Sequence, residues 1–448
     1  MRSRIAILLL LLAALPGMAQ NAPDLAAILA RVEKLEEQNR ALAEEVQQLK
    51  RQLATATGTV EERLDVQERR TEELSDTKVQ ASQRTPISLT GMLLFNSYLN
   101  SRYNGAQEHP TVASLNAVPR TAGGTARQTV LGLRFRSPTG VLGAEVNGSL
   151  YMDFFSNPGG GGGNPERLIS NNLNRLMRLR IATVELDWGS TSLLLGQDKP
   201  IISPREPNSL AFVGVSPLTG AGNPWLWQPQ ARLEQRFTLG SQTHLRAQVG
   251  LFQTAEGGAI VPEPFAPTLE SSRPGFQTRL AFRHALANEG HIEVAPAMHA
   301  STTHVAGSSV PSRVYSIDWS IAPIARLAFT GMFYRGQNTA NLGTLRQGFT
   351  ILGTRDVIAI RSNGGWAQVS YEAAPRLTFN LFGGQHDDRN RDLRAGNIAK
   401  NFAYAGNAFY RIAANVILGL EVMQVRTTYL GTGTRRNNHY DLAVAYQF

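Results

Sequence analysis

Tyr440-Asp-Leu-Ala-Val-Ala-Tyr-Gln-Phe448 alternates without a break between apolar and small or polar side chains and stops on an aromatic ring. Successive side chains of a strand point to opposite faces, so Tyr440, Leu442, Val444, Tyr446 and Phe448 share one face and Asp441, Ala443, Ala445 and Gln447 the other. One face suits lipid and the other suits water, which is the pattern of a transmembrane β-barrel strand. Phe448 and Tyr446 are expected to serve as the assembly signal read by barrel assembly machinery.

The same period of two extends back from this tail to Pro86, in segments of about ten residues divided by turn-forming clusters. Sixteen segments can be placed, from 86–100 and 126–136 through 289–300 and 311–322 to 415–427 and 437–448. An even number returns both ends of an antiparallel barrel to one side of the membrane. Link lengths alternate as well: short ones at Ser137–Gly140, Gly189, Gly240-Ser241, 285–288, Pro323, Ala374 and Ala413-Ala414, and long ones after every odd strand. Short periplasmic turns and longer external loops give this alternation. The predicted fold class is therefore all-β, a 16-stranded antiparallel transmembrane β-barrel over residues 86–448.

Charges keep to one face of each predicted strand. In the third, Leu142, Ala144, Val146, Leu150 and Met152 oppose Glu145, Asn147, Ser149 and Asp153. In the seventh, Leu245, Ala247, Val249 and Leu251 oppose His244, Arg246 and Gln248, and in the eighth Phe276, Leu280 and Phe282 oppose Gln277, Arg279 and Arg283. An arginine facing lipid at mid-depth costs roughly 2–4 kcal/mol, so the charged faces should line a wet lumen. A barrel of this width is not filled by its wall side chains, and a pore is expected.

Ahead of the barrel lie two further segments. Arg2 and Arg4 precede an apolar run from Ile5 to Leu15, and small residues at Gly17 and Ala19 mark a cleavage site, so residues 1–19 read as a signal peptide. From Leu25 onward, apolar residues recur with 3,4 spacing: Ile28, Val32, Leu35, Leu42, Val46, Leu49, Leu53, Ala56 and Val60, with Asn39 at one a position. Opposite charges at the flanking positions Arg31 and Glu36, and Glu45 and Lys50, suit parallel helices in register. Residues 20–85 are thus expected to form a short α-helical coiled coil, a periplasmic oligomerisation stalk held by Leu35, Asn39, Leu42, Val46 and Leu49. No cysteine occurs, which removes disulfides, thiolate metal sites and thiol nucleophiles. Mean hydropathy is only −0.19, and no segment reaches the roughly 18 apolar residues of a spanning helix.

The distribution of charge points to what the pore should favour. Residues 86–448 carry 32 Lys plus Arg against 22 Asp plus Glu, whereas the stalk carries 10 against 13. Lys199 and Lys400 are the only lysines of the barrel segment, and the forked, weakly hydrated guanidinium of arginine suits transient pairing with carboxylate or phosphate. Rings of such groups lower the barrier for anions. Arg134, Arg136, Arg232, Arg236, Arg246, Arg279 and Arg283 fall on inward faces and are the candidate pore-lining residues. The Pro-rich connection from Lys199 to Gln228 follows the fifth strand and is expected to fold into the lumen, presenting Lys199 and Arg205 to an anionic solute. An alternative assigns the basic residues to lipopolysaccharide phosphates or to ion pairs within the lumen.

Several stretches together resemble the DcaP-like family of trimeric outer-membrane porins: the signal peptide, the coiled coil, Ser88-Leu-Thr-Gly-Met-Leu-Leu-Phe95, Leu195-Gly-Gln-Asp198 leading into the Pro-rich loop, Trp227-Gln-Pro-Gln-Ala-Arg232, and Phe448. The layout is also similar to that of phosphate-selective porins. The resemblance implies a homotrimer in the outer membrane of a Gram-negative bacterium, with its stalk in the periplasm and a preference for small anionic solutes such as dicarboxylates. Asn96 stands where such porins often carry an acid.

Other chemistry finds little support. Gly159–Gly163 lacks a following Gly-Lys-Ser/Thr, the eight histidines are scattered, and no Gly-x-Ser-x-Gly elbow occurs. No catalytic residue, metal, cofactor or nucleic-acid partner is expected. Outer-membrane lipid and lipopolysaccharide are the expected surroundings. Two alternatives remain: a structural protein tethering the envelope through its coiled coil, and a barrel-embedded hydrolase. The latter would fill its lumen with packed side chains, whereas unmatched arginines are expected here.

Overall fold

The computed structural model describes residues 33–34, 36–38, 40–48, 86–137, 140–156, 176–256, 261–287, 289–352 and 356–448. The chain divides into two units, Met1–Ala81 and Ser82–Phe448. In the first, the described residues are helical, and Leu42 and Val46 lie exposed on that helix. Leu35, Asn39, Leu49, the signal peptide and the remainder of the heptad segment lie outside the described residues.

The second unit is a β-barrel. Its strands are β1 (Ile87–Asn100), β2 (Thr121–Thr125), β3 (Val130–Arg136), β4 (Glu145–Ser156), β5 (Leu176–Asp187), β6 (Thr191–Asp198), β7 (Gln228–Thr238), β8 (Thr243–Gln253), β9 (Pro274–Ala285), β10 (His291–Val305), β11 (Ser308–Ile324), β12 (Leu327–Gln337), β13 (Phe349–Leu352), β14 (Asp356–Ala359), β15 (Arg361–Ala374), β16 (Leu377–Asp388), β17 (Ile398–Ala413), β18 (Val416–Tyr429) and β19 (Gly433–Gln447). Both β2 and β3 lie along β1 and together make one wall position, while β13 and β14 form a separate hairpin inside a loop. Sixteen wall positions result, all antiparallel. The ring closes where β19 pairs with β1, from Met92↔Gln447 to Asn100↔His439.

Faces alternate as the sequence pattern requires. In β19, Tyr440, Leu442, Val444 and Tyr446 are exposed on the outer surface, while Asp441, Ala443 and Ala445 are buried inside. Phe448 extends the seam: its backbone exchanges hydrogen bonds with Gly91 at 3.0 and 3.2 Å, and its ring packs over that glycine. A side chain at Gly91 would strike the Val130 carbonyl, so the seam requires glycine there.

The connections expected to be short all lie at one end, here termed the turn end. Two departures from expectation occur at the other, the loop end. Links expected over 301–310 and 428–436 shrink to Ala306-Gly307 and Leu430–Thr432, because β10, β11, β18 and β19 run further than their apolar alternation. Ala306 and Gly307 both take positive φ, 50° and 72°, as a two-residue hairpin turn demands. Ser301-Thr-Thr-His and Arg435-Arg-Asn-Asn are polar on both faces, so the pattern fades where a strand leaves the apolar belt although its ladder continues. A third departure is at Leu142 and Ala144, which belong to the turn before β4 rather than to its faces.

Candidate pore constriction

Residues 199–227 join β6 to β7, and they fold into the barrel instead of over its rim. Ile202, Phe212 and Leu218 are buried against Val314, Met332, Tyr334, Trp366, Phe382 and Met423 on the inner wall. Leu210 joins a second cluster with Leu94, Ile417, Ala443 and Ala445. Burying a loop also buries its backbone polar groups, which then need partners. The wall supplies them through side-chain amides. Asn208 N donates to Gln368 on β15 at 2.6 Å, and Asn407 on β17 donates to the Asn208 carbonyl at 2.8 Å. Asn96 on β1 donates to the Leu210 carbonyl at 2.8 Å, and Asn401 on β17 to that of Gly220 at 2.9 Å.

Gln128 is the densest of these contacts. It sits in the break between β2 and β3, where Thr129 Oγ1 accepts the Leu94 N–H and so takes over one ladder bond. Its Nε2 donates to the Ala211 carbonyl and to Asn96 Oδ1, both at 2.9 Å, while its Oε1 accepts from the Val213 and Gly214 N–H groups at 2.8 Å each.

The inner faces of β3–β11 carry the larger groups of ion pairs, and Arg205 of the loop takes part in one of them. Glu293 on β10 lies within 4 Å of four guanidiniums: Arg205 at 2.6 Å, Arg279 at 3.1 Å, and Arg246 and Arg283 at 3.6 Å each. Asp318 on β11 accepts from Arg279 at 2.7 Å and from Arg205 at 3.0 Å. Four cations thus surround two carboxylates. Arg279 is sealed between them with its side chain 1% exposed, whereas those of Arg246 and Arg283 are 41% and 52% exposed. The paired inner members hold the outer ones toward the lumen.

The remaining sequence candidates are placed as follows. Arg236 bonds Glu234 at 2.8 Å and Asp187 at 3.0 Å, and Arg232 approaches Asp198 to 3.3 Å. Arg134 and Arg136 lie near the turn end, where Arg134 donates to the Tyr151 hydroxyl at 2.8 Å and Arg136 pairs with Glu145 at 2.7 Å. Lys199 bonds Glu206 of its own loop at 2.5 Å. The expectation of unmatched arginines is therefore corrected, since nearly every one meets a carboxylate; acids and bases on adjacent strands face the same enclosed space, and period-two reading does not pair them. Burial pushes the Glu206 carboxyl up, but the Lys199 ammonium, the Ser216 hydroxyl and the Arg180 charge outweigh it and hold the group below its ordinary range.

Sequence reasoning missed a second cationic group. Asp153 is fully buried on β4 and accepts from Arg178 at 2.6 Å and from Arg180 at 3.4 Å on β5. Their guanidiniums lie 4.9 and 4.8 Å from the Trp227 ring centre, and Arg127 lies 3.8 Å from that of Phe155. A signal was available: an inward acid such as Asp153 demands a cation nearby, and β5 begins Leu176-Met-Arg-Leu-Arg180. A register shift between β4 and β5 turns both arginines toward it.

No protein-family model and no curated protein matches the chain. Solved structures do. The outer membrane channel DcaP of Acinetobacter baumannii is 16% identical, with 81% of this chain and 97% of that chain covered and a TM-score of 0.64. An anion-selective porin from Comamonas acidovorans is 12% identical, with 81% and 100% covered and a TM-score of 0.53. The fold is that of outer-membrane porins and channels.

Proposed function

We propose that this protein is an outer-membrane porin whose water-filled pore favours small organic anions, dicarboxylates among them. The observation that carries this reading is the group of four arginines around two carboxylates beside the inward-folded loop. Its surplus positive charge is exposed on Arg246 and Arg283, where a passing anion would meet it, and the enclosed setting strengthens that attraction. A carboxylate could pair with one guanidinium and pass to the next without displacing the buried Arg279. The anion selectivity of the Comamonas porin is consistent with this reading.

Residues 20–85 then act as a periplasmic stalk holding a homotrimer, Phe448 and Tyr446 as the assembly signal, and outer-membrane lipid, lipopolysaccharide included, as the surroundings. Measuring the reversal potential of the purified protein in a planar bilayer under a salt gradient tests the reading. A potential of anion-selective sign, reduced by added dicarboxylate, is expected. Folded protein that conducts nothing, or that prefers cations, would overturn it.

A further inference from the structure

Three arginines do not belong to the pore. Arg313 on β11 shares the outer face with Tyr315 and Ile317, Arg335 on β12 with Phe329 and Phe333, and Arg361 on β15 with Val369 and Tyr371, and all of these apolar neighbours are exposed. Register brings the three together. Gln337 pairs with Arg313 on one side and Arg361 on the other, and Arg335 stands two residues below Gln337 on the same strand. Each flanking arginine is therefore a diagonal neighbour of Arg335, at a Cβ separation of about 7–8 Å that long side chains easily span.

Their surroundings on that face supply no counter-charge. Across β10 the partner of Arg313 is Ala300, and the row containing Arg335 runs Tyr315, Arg335, Asn363. The nearest acid along that row, Asp387 on β16, already pairs with Lys400 at 3.3 Å. Among the described residues, no carboxylate forms an ion pair with any of the three guanidiniums. Three like charges gathered at the edge of an apolar belt repel one another unless an anion sits between them. Further round the wall, on β18 and β19, Arg426 and Arg436 are direct cross-strand partners, a second pairing of like charges on the outer face.

We infer that Arg313, Arg335 and Arg361 form a binding site for the phosphate of an outer-leaflet lipid headgroup, with the lipid's acyl chains lying against Tyr315, Phe329 and Phe333. The inference rests on the outer-membrane placement and adds a lipid site to it. Arginine forks match phosphate oxygens, and the aromatic and aliphatic rows below the triad match hydrocarbon. A freely diffusing anion would use the first feature and not the second.

The test is lipid binding by the full-length protein in detergent, with a phosphorylated outer-leaflet glycolipid and its dephosphorylated form as probes, read by native mass spectrometry. The unaltered protein should retain the phosphorylated lipid in preference, and inorganic phosphate alone should compete poorly. In R313Q/R335Q/R361Q, affinity for the phosphorylated lipid should fall about tenfold or more, since each charged hydrogen bond lost counts for roughly a factor of ten. Single-channel conductance and ion selectivity should stay unchanged, because the triad faces away from the lumen. That readout also separates failure of the lipid site from failure of the porin reading. Equal retention of both lipids by the unaltered protein would overturn the inference without recourse to any variant. So would undiminished binding by the folded triple variant, or displacement of the lipid by inorganic phosphate at equal concentration.

Discussion

Glu293 gathers the charges on which the proposed anion preference rests. It draws four arginines to within 4 Å, and Asp318 takes the two most buried of them, so Arg246, which also lies 4.0 Å from Glu234, and Arg283 remain partly exposed. Replacing both with glutamine should remove the surplus charge while leaving the buried Arg279 pairs in place. We expect the reversal potential of R246Q/R283Q to move toward zero, with an ion selectivity ratio changed severalfold and thermal unfolding within about 1 kcal/mol of the parent, as for exposed ion pairs. Unchanged selectivity would place the filter elsewhere, with Arg178 and Arg180 the next candidates. The identity of Arg246, Arg279 and Arg283 as inward residues was legible in the strand alternation. Their partners were not, because the carboxylates lie on other strands at register positions that no local pattern specifies.

Among the elements, the inward loop carries most of the functional consequence. Its apolar residues seal it to one half of the wall, and the amides of Gln128, Asn96, Gln368, Asn401 and Asn407 accept or donate where its backbone would otherwise be unpaired. Gln128→Ala removes the acceptor of two N–H groups and a donor at once, each unpaired group costing about 1–3 kcal/mol. Single-channel traces of this variant should show flicker and a larger mean conductance, while barrel heat stability changes little. The Lys199–Glu206 pair makes a second prediction, about pH. Because Glu206 is held below its ordinary value of 4.5, the pair's stabilisation is present above that value and is lost only as pH falls through the lower, folded-state one. The contribution of this pair to conductance should therefore be steady from pH 7 to about 5 and change only in more acid solution. Lys199→Met leaves burial unopposed by its main partner, which should shift that change to higher pH. The inward course of this loop was expected from its prolines and its place after the fifth wall strand; the amide clasp was not, since glutamine and asparagine at inward positions read simply as wet-lumen residues.

At the scale of the whole molecule, the barrel closes on itself through β1 and β19 and needs no other chain to complete its ladder. The proposed oligomerisation would then be separable from folding, and deletion of residues 20–85 should yield monomeric barrels by native mass spectrometry that still conduct. Persisting trimers would show that the barrel surface, not the heptad, holds them. Strand number, face polarity and the even count were determined by the sequence alone, because a strand that meets lipid on one side and water on the other must write that contrast into every second residue. Link length was determined only in part: the two hairpins at Ala306-Gly307 and Leu430–Thr432 extend past the lipid belt, where water on both sides erases the alternation. What only the tertiary structure decided is which wall strands the loop meets, which carboxylate meets which arginine, and which outward arginines converge. Those depend on cross-strand register and on a loop crossing the barrel interior, and contacts between residues a hundred or more positions apart leave no periodic trace in the chain.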